Sequence, residues 1–171
     1  MQTLWAPWRM AYIGGASEPG CIFCAASSGA DPRAGLVLGR SRGGVVMLNR
    51  FPYAYAHLMV APHAHAADLS ALTAGAHAEL SALLRRVVAL LQEELHPQGM
   101  NVGINLGRAA GAGIADHLHW HVVPRWEGDT NFMPVLADVR VMPEHLDAIY
   151  DRLRPVFAPL DGRTLNDEPP G

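Results

Sequence analysis

The residues best suited to chemistry are three histidines that alternate with apolar side chains. His117, His119 and His121 are separated by Leu118 and Trp120. Alternation with a period of two is typical of a β-strand, in which successive side chains point to opposite faces. The pattern predicts a strand with a row of imidazoles on one face and apolar side chains turned to the core on the other. Each imidazole in such a row needs a hydrogen-bond partner, a metal or a substrate.

A neutral imidazole in the middle of this row could act as a nucleophile. His119 could attack a phosphorus atom through one ring nitrogen while a hydrogen bond holds the other, which would give a covalent nucleotidyl-histidine. His121 could then donate to a phosphate oxygen or to the leaving group. Two other interpretations stay open, because three histidines at this spacing could bind catalytic zinc or could be unrelated core residues.

A glycine-rich loop lies just before the histidine row. Gly107, Gly111 and Gly113 permit positive φ and close backbone approach, so we expect N–H groups there to converge on an anion. Asn105 adds a side-chain donor and acceptor. The loop, joined within a few residues to the histidines, favours phosphate chemistry.

A second candidate site is the Cys21-Ile22-Phe23-Cys24 segment. In a reducing compartment this spacing favours a metal site or a redox pair over a structural disulfide. Two thiolates supply half of a tetrahedral zinc site, and imidazoles would complete it. The alternative is two buried, small apolar residues. The candidate imidazoles are those of His57, His63, His65 and His117.

Composition narrows the class of protein. The chain has 171 residues, is 50% hydrophobic and 17% charged, and carries a formal charge of −3, which predicts one globular domain. Its 13 cationic residues are all arginine and none of them cluster, which argues against a nucleic-acid partner. The first 15 residues lack the apolar region of a signal peptide, and no run approaches the ~20 apolar residues of a membrane span. We therefore expect a cytoplasmic protein with no membrane partner.

The order of apolar segments predicts an α+β domain built on an antiparallel sheet of about five strands. An apolar stripe at helical spacing predicts one long helix with Thr73 as N-cap and an end at 96–99. A short helix is predicted over 143–154, with Pro143 at its first position. Regular pairing of the histidine strand is expected to stop near Pro124. The other predicted segments are an N-terminal arm over 1–20, a loop over 25–35, strands over 36–40, 45–49, 57–61 and 100–106, a short strand near 134–141, and a flexible tail over 161–171 that follows a single domain over 1–160.

The run 117–123 resembles the signature of the histidine triad (HIT) family, in which three histidines alternate with apolar residues and two more apolar residues follow. The resemblance extends over roughly 3–155 and includes segments 21–24, 48–49, 57–62, 105–107 and 110–111. Segments 4–10, 123–126 and 128–133 are similar to the branch that includes diadenosine-tetraphosphate phosphorylases.

The resemblance implies a nucleotide-binding, HIT-like fold, with sheets joined across the two-fold axis of a homodimer. It implies a transferase or hydrolase that cleaves dinucleoside polyphosphates of purines after His119 attacks an α-phosphate, with His117 and His121 completing the catalytic triad. The alternatives are a purine nucleoside phosphoramidase and a nucleotide-binding regulatory protein with little turnover. Asn49 would lie near the ribose, and the other nucleotide-binding and phosphate-binding residues would be Asn105, Gly111, Gly113, His121 and Trp126.

The resemblance also implies a structural zinc ion. Family members with zinc have ligands at the positions of Cys21, Cys24, His65 and His117, with His63 as a rival for His65. Mg²⁺ could accompany a polyphosphate substrate.

One departure from the family pattern concerns the loop before the triad. Many members have a Gln-Ser pair where this chain has Ala112 and Gly113. Phosphate contacts would then depend more on backbone donors, which suits the phosphorylase branch better than a phosphoramidase. Arg108 and Arg125 are the only cations close in sequence to the motif.

Overall fold

A five-stranded antiparallel sheet forms the centre of the computed structural model, which describes residues 20–29, 31–129 and 144–164. The strand order is β1-β2-β3-β5-β4. This architecture, with one long and one short helix on the sheet, confirms the predicted α+β fold. The elements are α1 (Ile22–Ser27), β1 (Val37–Ser41), β2 (Gly44–Leu48), β3 (Leu58–Ala61), α2 (Ala74–Leu95), β4 (Gly99–Ile104), β5 (Trp120–Arg125) and α3 (Leu146–Phe157).

The long helix α2 covers one face of the sheet. It begins as predicted, because the Thr73 hydroxyl accepts a hydrogen bond from the Ala76 N–H at 3.2 Å. It ends where His96 adopts a left-handed conformation with φ of 46°. The apolar stripe packs into the main core with side chains from the sheet and from α3. Its buried members are Leu80, Leu83, Val87, Leu90, Leu91 and Leu95.

The short helix α3 is shifted towards the C-terminus from its predicted range. It begins at Leu146 because His145 is the N-cap, whose ring nitrogen accepts from the Asp147 N–H. It continues through Pro155 to Phe157, whose side chain is fully buried. The end of the helix lies close to β1, where a Cβ on Gly39 would be 2.8 Å from the Phe157 carbonyl oxygen. Burial of Phe157 therefore outweighs the helix-ending tendency of proline.

Helix α1 covers part of the opposite face, where the sequence predicted a loop over 25–35. Six residues are too few to give a periodic pattern, so the helix depends on packing. Phe23 and Ala26 are its buried residues. They pack in a second apolar cluster with Val37, Val45, Met47, Met59 and Ala61.

The histidine strand is shorter than predicted. Regular pairing begins at Trp120, so His117 and His119 precede β5 rather than lie within it. The reason is that the Leu118 N–H donates to the Ala66 carbonyl, outside the ladder. Pairing with β3 ends at Val122, whereas pairing with β4 continues past Pro124. Proline is tolerated there because its missing N–H falls where only one neighbouring strand remains.

Other predictions fall at the ends of the described ranges. The arm over 1–19, the strand near 134–141 and residues 165–171 lie outside the described residues. The first part of the predicted tail contacts the β1–β2 hairpin, since the Gly162 N–H donates to Arg40 and the Arg42 N–H donates to Arg163. Within the described ranges, none of the helices has the length and apolar character needed to cross a bilayer.

Candidate functional site

The predicted division of the histidine segment into two faces is present. Leu118 and Val122 are buried in the main core, on the side of α2 and α3. Met59 is the cross-strand partner of His121, and cross-strand partners share a face. Since Met59 belongs to the second apolar cluster, the imidazoles lie on the face that carries α1.

The ring of His119 makes a hydrogen bond to the described part of the chain at only one of its two nitrogens. Its Nδ1 lies 2.9 Å from the backbone carbonyl oxygen of His117, so Nδ1 must carry the proton and donate it. The side chain is only 5% exposed, and burial lowers its pKa, which keeps the ring neutral near pH 7. Nε2 has no hydrogen-bond partner among the described residues. The lone pair of a neutral imidazole is therefore at Nε2.

A second ring is oriented by a residue that sequence reasoning treated only as a candidate metal ligand. His57 is fully buried, and its Nδ1 accepts from the Tyr53 N–H at 3.1 Å. A neutral His57 then carries its proton on Nε2, which donates to Nδ1 of His121 at 2.9 Å. This leaves His121 with its own proton on Nε2. Burial lowers the pKa of His121 to about 4, so the ring is a neutral donor at physiological pH.

Asn49 lies beside this chain of hydrogen bonds. Its Nδ2 is 3.3 Å from Nδ1 of His57, and its Oδ1 accepts from the Phe51 N–H at 2.9 Å. Both ends of the amide therefore contact the loop that leads into β3. Each end retains capacity for one more hydrogen bond, because an amide has two donor hydrogens and two acceptor lone pairs.

The glycine-rich loop connects β4 to the histidine segment. Ile104 pairs with Trp120 at the end of the ladder, so Asn105 and His119 are the residues that follow and precede this last pair. Asn105 also lies next to Gly111, where a Cβ would be 3.8 Å from its Nδ2. Gly111 has φ of 93°, as a glycine there permits, whereas Gly113 does not have the positive φ that the sequence suggested.

Three backbone N–H groups of this loop donate hydrogen bonds within the loop itself. The N–H groups of Ala110, Gly111 and Ala112 donate to carbonyls of Gly107 and Arg108 within the turn. The convergence of N–H groups expected from the sequence is therefore reduced. Among the described residues, the N–H of Gly113 has no such partner.

Four potential metal ligands come together at the start of the histidine segment. The ligand atoms of Cys21, Cys24, His65 and His117 all lie within 4.8 Å of one another. His117 is fully buried, and its Nε2 donates to the Pro62 carbonyl at 2.9 Å, which leaves the lone pair on Nδ1.

The spacing of these atoms can be compared with a zinc tetrahedron. Zn–S and Zn–N bonds of usual length give ligand-to-ligand edges of about 3.3 to 3.8 Å. The observed separations are 3.2 Å from Cys21 Sγ to His117 Nδ1, 3.2 Å from Cys24 Sγ to His65 Nδ1, and 3.3 Å between the two Nδ1 atoms. The donor set and its spacing therefore fit zinc.

The rival histidines lie elsewhere. The Nε2 of His63 donates to the Ser41 carbonyl at 2.7 Å, and His57 contacts His121. Neither belongs to the four-residue cluster.

Two residues expected near the nucleotide have other contacts. Trp126 packs in the main core and against the ring of Tyr55, with a centroid separation of 5.8 Å. Arg125 donates to both carboxylate oxygens of Asp129, at 2.6 and 2.7 Å, and to Asn101 at 2.8 Å. Arg108, the other cation close to the motif, is exposed and makes no ion pair with the described residues.

Comparison with known proteins agrees with this geometry. The HIT domain model matches residues 34–128. This match covers more than half of the chain and includes all five strands. The chain belongs to the HIT family.

Individual relatives have named activities or bound metal. The AP-4-A phosphorylase of Mycobacterium tuberculosis is 37% identical over 155 residues, which cover 85% of this chain and 79% of that protein. An adenosine 5'-monophosphoramidase of Schizosaccharomyces pombe is 26% identical over 133 residues, or 78% of this chain and 95% of its own. The structure of a zinc-bound histidine triad family protein from Mycobacterium smegmatis has a TM-score of 0.63 and 30% identity, and the match covers 80% of this chain and 92% of that one.

Proposed function

We propose that this protein is a nucleotidyl transferase or hydrolase that cleaves dinucleoside polyphosphates through a covalent intermediate on His119. The observation that carries the proposal is the free Nε2 of a buried, neutral imidazole whose Nδ1–H is fixed on the His117 carbonyl. Such a ring can attack without first losing a proton. The similarity to a phosphorylase of diadenosine tetraphosphate supports this substrate class.

The first step exchanges one bond to phosphorus for another. The Nε2 lone pair of His119 forms a P–N bond with the α-phosphorus, the P–O bond to the bridging oxygen breaks, and its electron pair leaves with the departing nucleotide. The His121 Nε2–H can donate a hydrogen bond to that oxygen, because His57 occupies Nδ1 of the same ring. Attack of water on the P–N intermediate then releases AMP, whereas attack of phosphate releases ADP.

The low pKa of His121 favours a polyphosphate leaving group over an amine. With a pKa of about 4, this ring is a neutral hydrogen-bond donor at pH 7 and a poor source of a full proton. A departing polyphosphate is stable as an anion, whereas an amine has to be protonated. We therefore infer that phosphoramidate cleavage is the secondary activity.

The test uses diadenosine tetraphosphate labelled at the α-phosphates, with quenching in denaturant at alkaline pH, where the P–N bond survives. The wild type and the His77→Ala control, whose histidine is exposed on α2, should both carry label and release AMP, or ADP when phosphate is added. His119→Ala should do neither. Wild-type rates in His119→Ala would refute the proposed nucleophile, and binding without turnover in the wild type would favour the regulatory alternative.

We also propose that zinc is held by Cys21, Cys24, His65 and His117. The support is the donor set and its near-tetrahedral spacing, together with the zinc-bound relative. Zinc would tether α1 to the start of the histidine segment and supply structural stability rather than chemistry, since all four positions would be filled by protein. Elemental analysis of the purified protein should give one zinc per chain, which Cys21→Ser should abolish.

A homodimer formed through β4 is the third part of the proposal. This strand is at an edge of the sheet. Val102 within it and Leu106 just after it are exposed. An open edge with apolar side chains is a favourable surface for pairing with a second copy. Light scattering should give twice the chain mass for the wild type and the single mass for Val102→Asp combined with Leu106→Asp. A monomeric wild type at micromolar concentration would contradict this part.

A further inference from the structure

Phe23 lies between the metal ligands and the proposed nucleophile. It lies between Ile22 and Cys24, two residues after Cys21, and its side chain is fully buried. Its ring centroid is 4.8 Å from that of His119, with an interplanar angle of 31°. It is 5.1 Å from the ring of His117, with an angle of 47°. One aromatic side chain therefore contacts both a metal-ligand candidate and the ring beside it.

The other side of the Phe23 ring packs on the sheet. The second apolar cluster, which includes Val45, Met47 and Met59, surrounds it. The ring therefore fills the space between the sheet and the imidazole of His119. A hydrogen bond from Nδ1 fixes one point of that imidazole, but a single hydrogen bond still permits tilting about it. Contact with Phe23 restricts this remaining motion.

The position of Phe23 depends in turn on the cysteines. Helix α1 has only six residues, and its N-cap, Cys21, makes no side-chain capping hydrogen bond. A helix this short is not stable by itself, so packing and tethering determine where it lies. The two thiols that could tether it lie on either side of Phe23, Cys24 next to it and Cys21 two residues before it.

We propose that Phe23 is a positioning residue that couples metal occupancy at the cysteine–histidine cluster to the orientation of the His119 ring. The inference rests on the proposed role of His119 as the nucleophile. It adds Phe23, which has no part in the reaction steps proposed above. When zinc holds Cys21 and Cys24, Phe23 is pressed against His119 and keeps Nε2 directed at the substrate. When the cluster is empty, α1 moves more freely and His119 loses this contact.

The experiment compares Phe23→Leu with Ile22→Ala. Ile22 lies on the same helix and is also next to a cysteine, Cys21, but its side chain is 42% exposed, so its truncation changes α1 without changing the packing against His119. Three quantities are measured for each protein: zinc content, the ¹H–¹⁵N signals that report which ring nitrogen of His119 is protonated, and kcat and KM separately. The nuclear magnetic resonance measurement needs no substrate, so it tests the coupling even if the wild type fails to cleave dinucleotides.

Phe23→Leu should keep its zinc, lose the single Nδ1–H signature of His119, and have kcat lowered on the order of ten-fold to a hundred-fold with little change in KM. Ile22→Ala should match the wild type in all three. Chelation of the wild type should shift the His119 signals, and the same treatment of Phe23→Leu should shift them much less. This last comparison separates Phe23 from the other route, through the His117 carbonyl.

Either of two results would overturn the inference. One is zinc-loaded Phe23→Leu with wild-type His119 signals and kcat. The other is chelation that leaves the His119 signals of the wild type unchanged or shifts those of Phe23→Leu equally. If the leucine variant does not fold, Phe23→Met is measured by the same criteria, and chelation of the wild type alone still decides whether the metal and His119 are coupled.

Discussion

Acid should destabilise this protein through His121, and the size of the effect can be calculated. Burial is the main cause that lowers the pKa of His121 from its usual value of 6.5 to about 4, and the nearby His119 adds to it. The unfolded chain therefore binds a proton at this residue below pH 6.5, whereas the folded protein does not bind it until about pH 4. Proton binding therefore stabilises the unfolded state relative to the folded state as pH falls through this interval, and the free energy of unfolding decreases.

Each pH unit inside the interval contributes about 1.4 kcal/mol. Integrated between pH 7 and pH 5, a single such group lowers the free energy of unfolding by about 2 kcal/mol. The full difference approaches about 3 kcal/mol near pH 4, which is a large part of the marginal stability of a domain this size.

Urea denaturation at pH 7, 6 and 5 measures this slope. His121→Gln keeps a polar side chain but cannot titrate, so its unfolding free energy should fall by about 2 kcal/mol less than that of the wild type over the same range. Groups that do not contact His121, and any metal release, act on both proteins and cancel in the comparison. Equal pH slopes for the two proteins, or a His121 that titrates near pH 6.5 by nuclear magnetic resonance, would refute the reasoning.

Three further substitutions have defined outcomes. Cys24→Ser should remove zinc and lower Tm by at least about 5 °C in a scanning calorimeter, whereas an unchanged Tm would contradict a structural metal. His57→Phe keeps a buried aromatic ring but removes the donor to His121, so kcat should fall about ten-fold or more at constant KM and zinc content. Ala56 has φ of 53°, which costs a non-glycine residue about 1–2 kcal/mol, but its methyl is buried in the main core. In Ala56→Gly the relief of strain and the loss of packing should therefore offset each other and leave the urea midpoint nearly unchanged, whereas a large fall would show that packing outweighs strain there.

The alternating pattern around His119 was enough to predict which side chains share a face, because the period of a strand is a local property. It was not enough to predict where pairing begins. That boundary depends on the hydrogen bond from Leu118 to Ala66, a residue more than 50 positions away. The same limit applies to α1, whose six residues are helical because Phe23 and Ala26 find a buried surface on strands that follow them in sequence.

Assignments that depend on three-dimensional proximity could not be made from spacing. His63 and His65 both follow Pro62 within three residues, so the sequence leaves either of them as a partner of the cysteines. The structure shows that His63 donates instead to the Ser41 carbonyl. The sequence leaves His57 as a candidate metal ligand, because no local pattern indicates that β3 pairs with β5. Once Met59 is known to pair with His121, the contact between His57 and His121 follows from the geometry of adjacent strands.

Three identical side chains differ chemically because each imidazole has a different hydrogen-bond partner. The Pro62 carbonyl accepts a hydrogen bond from Nε2–H of His117, so the lone pair of that ring is on Nδ1, which we propose as a metal ligand. The His117 carbonyl accepts a hydrogen bond from Nδ1–H of His119, so the lone pair of that ring is on Nε2, which we propose as the nucleophile. At His121 the neighbouring imidazole of His57 occupies Nδ1, so Nε2 keeps its proton and becomes a donor. A proposed metal ligand, a proposed nucleophile and a proposed donor therefore follow one another at intervals of two residues. Only the partner of His121 is a side chain, so His57→Phe should alter the donor role of His121 and leave the hydrogen bonds of His117 and His119 to backbone carbonyls in place.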